Sequence, residues 1–150
     1  MYDTDVEKWN AGVEKVPYGA SGDYSFAQGG KSAAYAEGSH AEGKNSIAKG
    51  SGSHAEGEST VSIGASSHSE GLSTVTKGEQ SHAEGSNTTA IGKASHAEGF
   101  NTIAEGLYAH AEGNNTKAKG MYAHAEGDNN TAEGKASHVS GAYNKAQYEH

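Results

Sequence analysis

The sequence predicts an all-β fold: a parallel β-roll, or β-solenoid, made of stacked 14-residue coils. Three observations predict it. Histidine recurs at 40, 54, 68, 82, 96, 110, 124 and 138, always 14 residues apart. Glycine follows three residues later each time, at 43, 57, 71, 85, 99, 113, 127 and 141. A second glycine column runs through 50, 64, 78, 92, 106, 120 and 134. Self-similarity of this regularity marks a stacked repeat. Fourteen residues are too few for a two-helix unit, and two glycines per unit penalise a helix. Two short strands joined by two turns fit.

Composition asks for the same solution. Only 33% of the 150 residues are hydrophobic, and there are two Phe, one Trp and 22 Gly. A chain this polar does not bury enough apolar surface to offset its ordering entropy by core packing alone. A regular backbone ladder, or association with other chains, must supply the rest. The formal net charge is −8 and the sequence contains no Arg. That argues against nucleic acid and anionic membranes as partners, because both need a basic face. No apolar run reaches the ~18 residues of a membrane-spanning helix. The N-terminus lacks the charged and apolar regions of a signal peptide. Absence of Cys removes disulfides and thiolate metal sites.

The elements follow in order. Residues 1–19 stand outside the pattern and hold Trp9 and Pro17; a cap or junction is expected there. The roll is expected over 20–147, with 148–150 as a tail. Its first coil is degenerate, as terminal repeats often are. Ser25-Phe26-Ala27-Gln28-Gly29 occupies the register of the histidine segment, Gly22 falls in the second glycine column, and Ala36 stands where that column expects Gly. From there the unit reads S-H-A-E-G-x-N-T-x-A-x-G-x-x. Ser39-His40-Ala41-Glu42-Gly43 shows its first half and Asn101-Thr102-Ile103-Ala104-Glu105-Gly106 its second. Strand one is read as S-H-A-E-G and strand two as N-T-x-A-x-G. Each glycine ends a run at a place needing positive φ or close backbone approach. Stacking at about 4.8 Å gives about nine coils and a rod of roughly 40 Å.

Alternation sorts the side chains. In strand two, Thr88 and Ala90, Thr102 and Ala104, and Thr116 and Ala118 share one face. Positions between them accept Asn45, Ile47 and Lys49 in one coil and Asn115, Lys117 and Lys119 in another. The tolerant face is solvent, so Thr and Ala point inward. In strand one, Ala41, Ala55, Ala83 and Ala97 should point inward too, leaving a thin interior of Ala, Thr and Ser. The opposite face of strand one then carries His40, Glu42, His54, Glu56, His68, Glu70, His82, Glu84, His96, Glu98, His110, Glu112, His124, Glu126 and His138. Only Ser140 breaks its glutamate column. A solvent face would have varied, so a uniform partner is expected. The simplest is the same face of identical chains around a symmetry axis, with His and Glu hydrogen-bonded across it.

These residues resemble the YadA-like head repeats of trimeric autotransporter adhesins. More closely, they resemble the S-H-A-E-G-x-N-T-x-A-x-G form found in phage and prophage tail proteins. His138-Val139-Ser140-Gly141-Ala142-Tyr143-Asn144 is similar to the H-V-x-G-x-Y-N segment that closes such arrays. The resemblance covers about residues 20–147. It implies a left-handed parallel β-roll, a homotrimer whose interface is the His/Glu face, and a structural or adhesive role in a fibre or adhesin head. It also implies a location on a virion tail or at an extracellular surface. Adhesin heads carry S-V-A-I-G, whereas His and Glu stand here, and no coiled-coil stalk or membrane anchor is evident. The phage-like form is therefore favoured.

The same residues admit rival readings. Imidazoles from three chains meeting at one level resemble a His₃ metal site, but eight identical rungs read as architecture, so neither metal nor cofactor is assigned. Adjacent Ser and His on one strand point to opposite faces and make no catalytic pair; no enzyme is expected. An ice-binding surface needs an exposed Thr rank, and alternation puts Thr60, Thr74, Thr88, Thr102 and Thr116 inside. Tyr108 and Tyr122, one repeat apart, are candidates for contact with a host-surface receptor or glycan. The histidines carry a pH expectation of open sign. Paired with Glu, they favour low pH; buried neutral, they make acid disruptive.

Overall fold

The computed structural model describes residues 18–146. The expected cap with Trp9 and Pro17, and the tail at 148–150, lie outside the described residues, apart from Tyr18 and Gly19. Pairing begins at Gly19–Ala20, which lies against Ala33–Ala34. The described chain is a parallel β-solenoid of about nine turns, and no helix occurs among the described residues.

Each turn contributes one strand to each of two sheets. One sheet has nine strands and contains His40–Lys44, His54–Glu58, His68–Leu72, His82–Ser86, His96–Phe100 and His110–Asn114. The other has ten two-residue strands, among them Ile47–Ala48, Thr89–Ala90 and Ile103–Ala104. All pairs are parallel and in register at the repeat length, for example His82 on His96 and Thr89 on Ile103. The ladder runs from the amide of one coil to a carbonyl of the next, as from His82 to Ser95 at 2.9 Å.

The second strand is therefore shorter than the six residues read from the sequence, and the first begins at His rather than Ser. Each difference has its cause in one of the two turns. Asn45, Asn87, Asn101 and Asn115 have φ of 53–57°, and their amides turn back to the preceding coil, as from Asn101 to Ser86 at 3.0 Å. Asn tolerates this left-handed region better than most residues, so the Asn column is a turn rather than a strand start. Ser belongs to the other turn. The Ser81 and Ser95 hydroxyls donate to the carbonyls of Gly78 and Gly92, both at 2.7 Å.

The two glycine columns meet the two backbone demands separately. Gly43, Gly57, Gly71, Gly85, Gly99 and Gly113 have φ of 100–111°, and a Cβ there would also overlap the glycine carbonyl of the next coil. Gly50, Gly64, Gly78, Gly92, Gly106 and Gly120 are not at positive φ; there a Cβ would strike the next coil's backbone.

The interior is as thin as alternation implies. Ala41, Ala55, Ala83, Ala90, Ala97 and Ala104 are buried, and so are Thr60, Thr74, Thr88, Thr102 and Thr116. The Ala core forms two clusters, Ala34–Ala55 and Ala83 onwards. Between them lie hydroxyls: Ser62 bonds Thr76 at 3.0 Å and Ser67 at 2.8 Å, while Ser69 lies 3.1 Å from Thr76. These four hydroxyls satisfy one another, whereas the buried hydroxyls of Thr60 and Thr74 beside them have no hydrogen-bond partner in the chain.

Candidate functional site

The long-strand sheet presents its outer face through the second and fourth residues of each unit. Strict register stacks identical side chains, and the imidazoles form a column. Ring centroids of His54 and His68 lie 4.7 Å apart, and each neighbouring pair from His68 to His138 lies 4.8 Å apart with planes within 9°. Phe26, in the histidine register of the first described coil, caps the column edge-on, 4.8 Å from His40. Its role was not assigned from sequence, although its register was visible there.

Glutamates form a parallel column beside the rings. Nε2 of His54, His68 and His82 lies 3.5, 3.7 and 3.7 Å from the carboxylate of the same coil. It also approaches the glutamate of the preceding coil: His68 to Glu56 at 3.9 Å, His110 to Glu98 at 3.6 Å, and His124 to Glu112 at 3.2 Å. His68, His110 and His124 thus face two carboxylates from different coils, which the linear sequence did not disclose. Within the chain, Nε2 of His40, His54, His68, His82, His96 and His110 is shielded and has no hydrogen-bond partner. The side chains are still about a third exposed, 36% for His82 and 32% for Glu84.

Crowding like groups shifts their protonation. Burial, then neighbouring imidazoles, holds His54, His68, His82, His96 and His110 below the ordinary histidine value. A proton shared with Glu70, with burial behind it, pushes Glu56 up to about 7. Glu98 is likewise pushed up to about 7 by sharing with Glu84 and Glu112. Those two acceptors are lowered, chiefly by that hydrogen bond from Glu98.

The open pH expectation now has a sign for the folded chain. Five histidines with lowered values lose stability as pH falls from 6.5 through those values, because the unfolded chain then binds more protons. Glu56 and Glu98 act oppositely: their contribution is complete below 4.5 and disappears as pH rises to about 7. In E56Q/E98Q, where the opposing contribution is removed, melting temperature should therefore climb from pH 5 to about 6.5 and level off by pH 8. Thermal melts followed by circular dichroism at those three pH values check this; a profile falling from pH 5 to 6.5 would contradict it.

Tyr108 and Tyr122 lie together on a turn away from this face. Their rings stack 5.3 Å apart and 9° from parallel, and both are about half exposed, with Leu107 and Met121 exposed beside them. The Thr rank is buried, so it offers no surface to ice. Lys44–Glu58 at 2.7 Å, at the ends of two long strands, and Lys93–Glu79 at 3.0 Å, in the turn after the second glycine column, are solvent-exposed pairs, contributing little.

Solenoid and uniform outer face together define a structural repeat module. Residues 41–67, 78–95 and 83–109 match the family model of the YadA head domain repeat. The coils within these segments are YadA-like head repeats. No curated protein matches the chain.

Proposed function

We propose that the chain is the subunit of a homotrimeric rod, a spacer or receptor-facing segment of a phage tail fibre or surface adhesin, with the His/Glu face as its interface. The single observation that carries this reading is that face. It repeats one polar pair on every rung, leaves six Nε2 atoms without partners, and does not vary as the opposite sheet does. Identical chains set round an axis would meet it with an identical pattern of donors and acceptors. A roll with an Ala and Thr interior also buries little large apolar surface, and association supplies what is lacking. YadA head domains typically form trimers in adhesins, which supports the same stoichiometry.

The stacked Tyr108 and Tyr122 pair, with its exposed apolar neighbours, is the proposed contact for a receptor or glycan. Aromatic faces held rigidly in a turn offer contact area with little entropy to lose. The location proposed is a virion tail or an extracellular surface.

Light scattering behind a sizing column at neutral pH tests the assembly. A mass near three times the 15.3 kDa chain is expected. A folded, monodisperse monomer would sink the interface assignment.

A further inference from the structure

We propose that Glu98, His110 and Glu112 form a binding site for a divalent transition-metal ion, and that Glu56, His68 and Glu70 form a second set of the same composition. The ligand atoms of Glu98, His110 and Glu112 all lie within 4.8 Å of one another. Nε2 of His110 is 3.6 Å from Oε1 of Glu98 and lacks a hydrogen-bond partner in the chain. An ion ~2.1 Å from both atoms would see them at an angle of about 120°, near tetrahedral. Glu112 supplies a third ligand from the same coil as His110, and a water completes four-coordination.

Stacking decides the composition of the site. Consecutive imidazoles are 4.8 Å apart and His96 and His110 are 2° from parallel. Their in-plane lone pairs run side by side and do not converge, so two rungs do not share an ion through two histidines. One ring between two carboxylates does converge, because the glutamates of successive coils flank it. The same flanking holds at His68, 3.9 Å from Glu56 and 3.7 Å from Glu70. A dication between stacked carboxylates also relieves their mutual repulsion.

Neighbouring sets share a glutamate: Glu112 serves both His110 and His124. Adjacent rungs therefore cannot both be filled. Non-overlapping sets centre on His68 and on either His110 or His124, which gives up to two ions per chain. Imidazole with carboxylate suits zinc, nickel or copper, whereas calcium and magnesium prefer all-oxygen shells. The ligands come from one chain, on the face proposed as the trimer interface, so a filled site takes the place of the hydrogen bond that His110 Nε2 would make across it.

Equilibrium dialysis of the full-length, untagged, chelator-treated chain against micromolar zinc chloride, followed by elemental analysis, tests it. Up to two zinc ions per chain are expected, falling by one in H110Q/H124Q, which removes both sets that use Glu112, and unchanged in K117Q on the variable face. Cobalt(II) provides a readout that needs no variant: visible d–d bands of a low-symmetry site should appear in the unmodified chain. Fewer than one zinc per chain, a cobalt spectrum identical to the aqueous ion, or an unchanged stoichiometry in a folded H110Q/H124Q would each overturn the proposal. Light scattering on the same samples separates the two readings. Zinc bound to a monomer sinks the trimer alone, whereas a trimer without zinc sinks the metal site alone.

Discussion

Substituting Gly85 by Ala is expected to lower the melting temperature by roughly 10 °C or more, or to abolish folding. Two costs add at this position. The residue has φ of 101°, a region that side chains with a Cβ avoid. The new methyl would also overlap the Gly99 carbonyl oxygen, within the backbone of the next coil. Backbone on both sides leaves nothing flexible to yield, so the coils must part and the ladder between them must break locally. The loss should be about 4 kcal/mol or more, at the extreme of single substitutions. Two other glycines act as controls. Gly30 has open space around its position and no positive φ, so G30A should stay within about 0.5 kcal/mol of the parent. Gly52 has φ of 62° but open surroundings, and Ala94 and Ala136 adopt φ of 51° and 54° at the same place in their coils. G52A should therefore cost about 1–2 kcal/mol at most. Melting at fixed protein concentration, with equal values for G85A and G30A, would refute the close-approach account.

The second large effect is expected from Ala90→Leu compared with Thr89→Leu. These neighbours point to opposite sides of the same two-residue strand. Ala90 is fully buried and pairs with Thr76 and Ala104 in the flanking coils. The interior is only as wide as two small side chains, so three extra carbons have no void to enter. Overpacking ordinarily costs about 1–3 kcal/mol, and the upper end is expected here because both sheets are held by continuous ladders. Thr89 stands in register with Val75 and Ile103, so the outer face already accepts branched side chains. T89L should shift stability by less than about 0.5 kcal/mol. Chemical denaturation of the two variants reads the contrast directly, and equal midpoints would mean that the faces have been assigned the wrong way round.

Much of this molecule was legible because the sequence repeats. A period of 14 with two glycines per unit leaves two strands and two turns as the available solution. Parallel in-register pairing follows, since identical residues such as His82 and His96 are brought opposite each other by stacking alone. Alternation placed Ala83, Ala97, Thr88 and Thr102 inside correctly, because the side-chain period of a strand is fixed by its pleat. The match of three segments to the YadA head domain repeat agrees with the resemblance carried by the same motifs.

What the sequence by itself determined was direction: the repeat length, the stacking, which side chains face inward, and which form the uniform His/Glu column. Distances and backbone reversals were decided by the tertiary structure. Two glycine columns look alike in sequence, yet one answers to positive φ and the other to close approach alone. Ala94, Tyr108 and Tyr122 adopt left-handed φ with no residue-type signal, because the turn is imposed by the coils above and below through amides bonded to the preceding coil. The pairing of His124 with Glu112, 12 residues earlier, at 3.2 Å likewise exists only when one coil rests on another. Periodicity encodes which way a side chain points; the spacing of the ladder determines what it meets there.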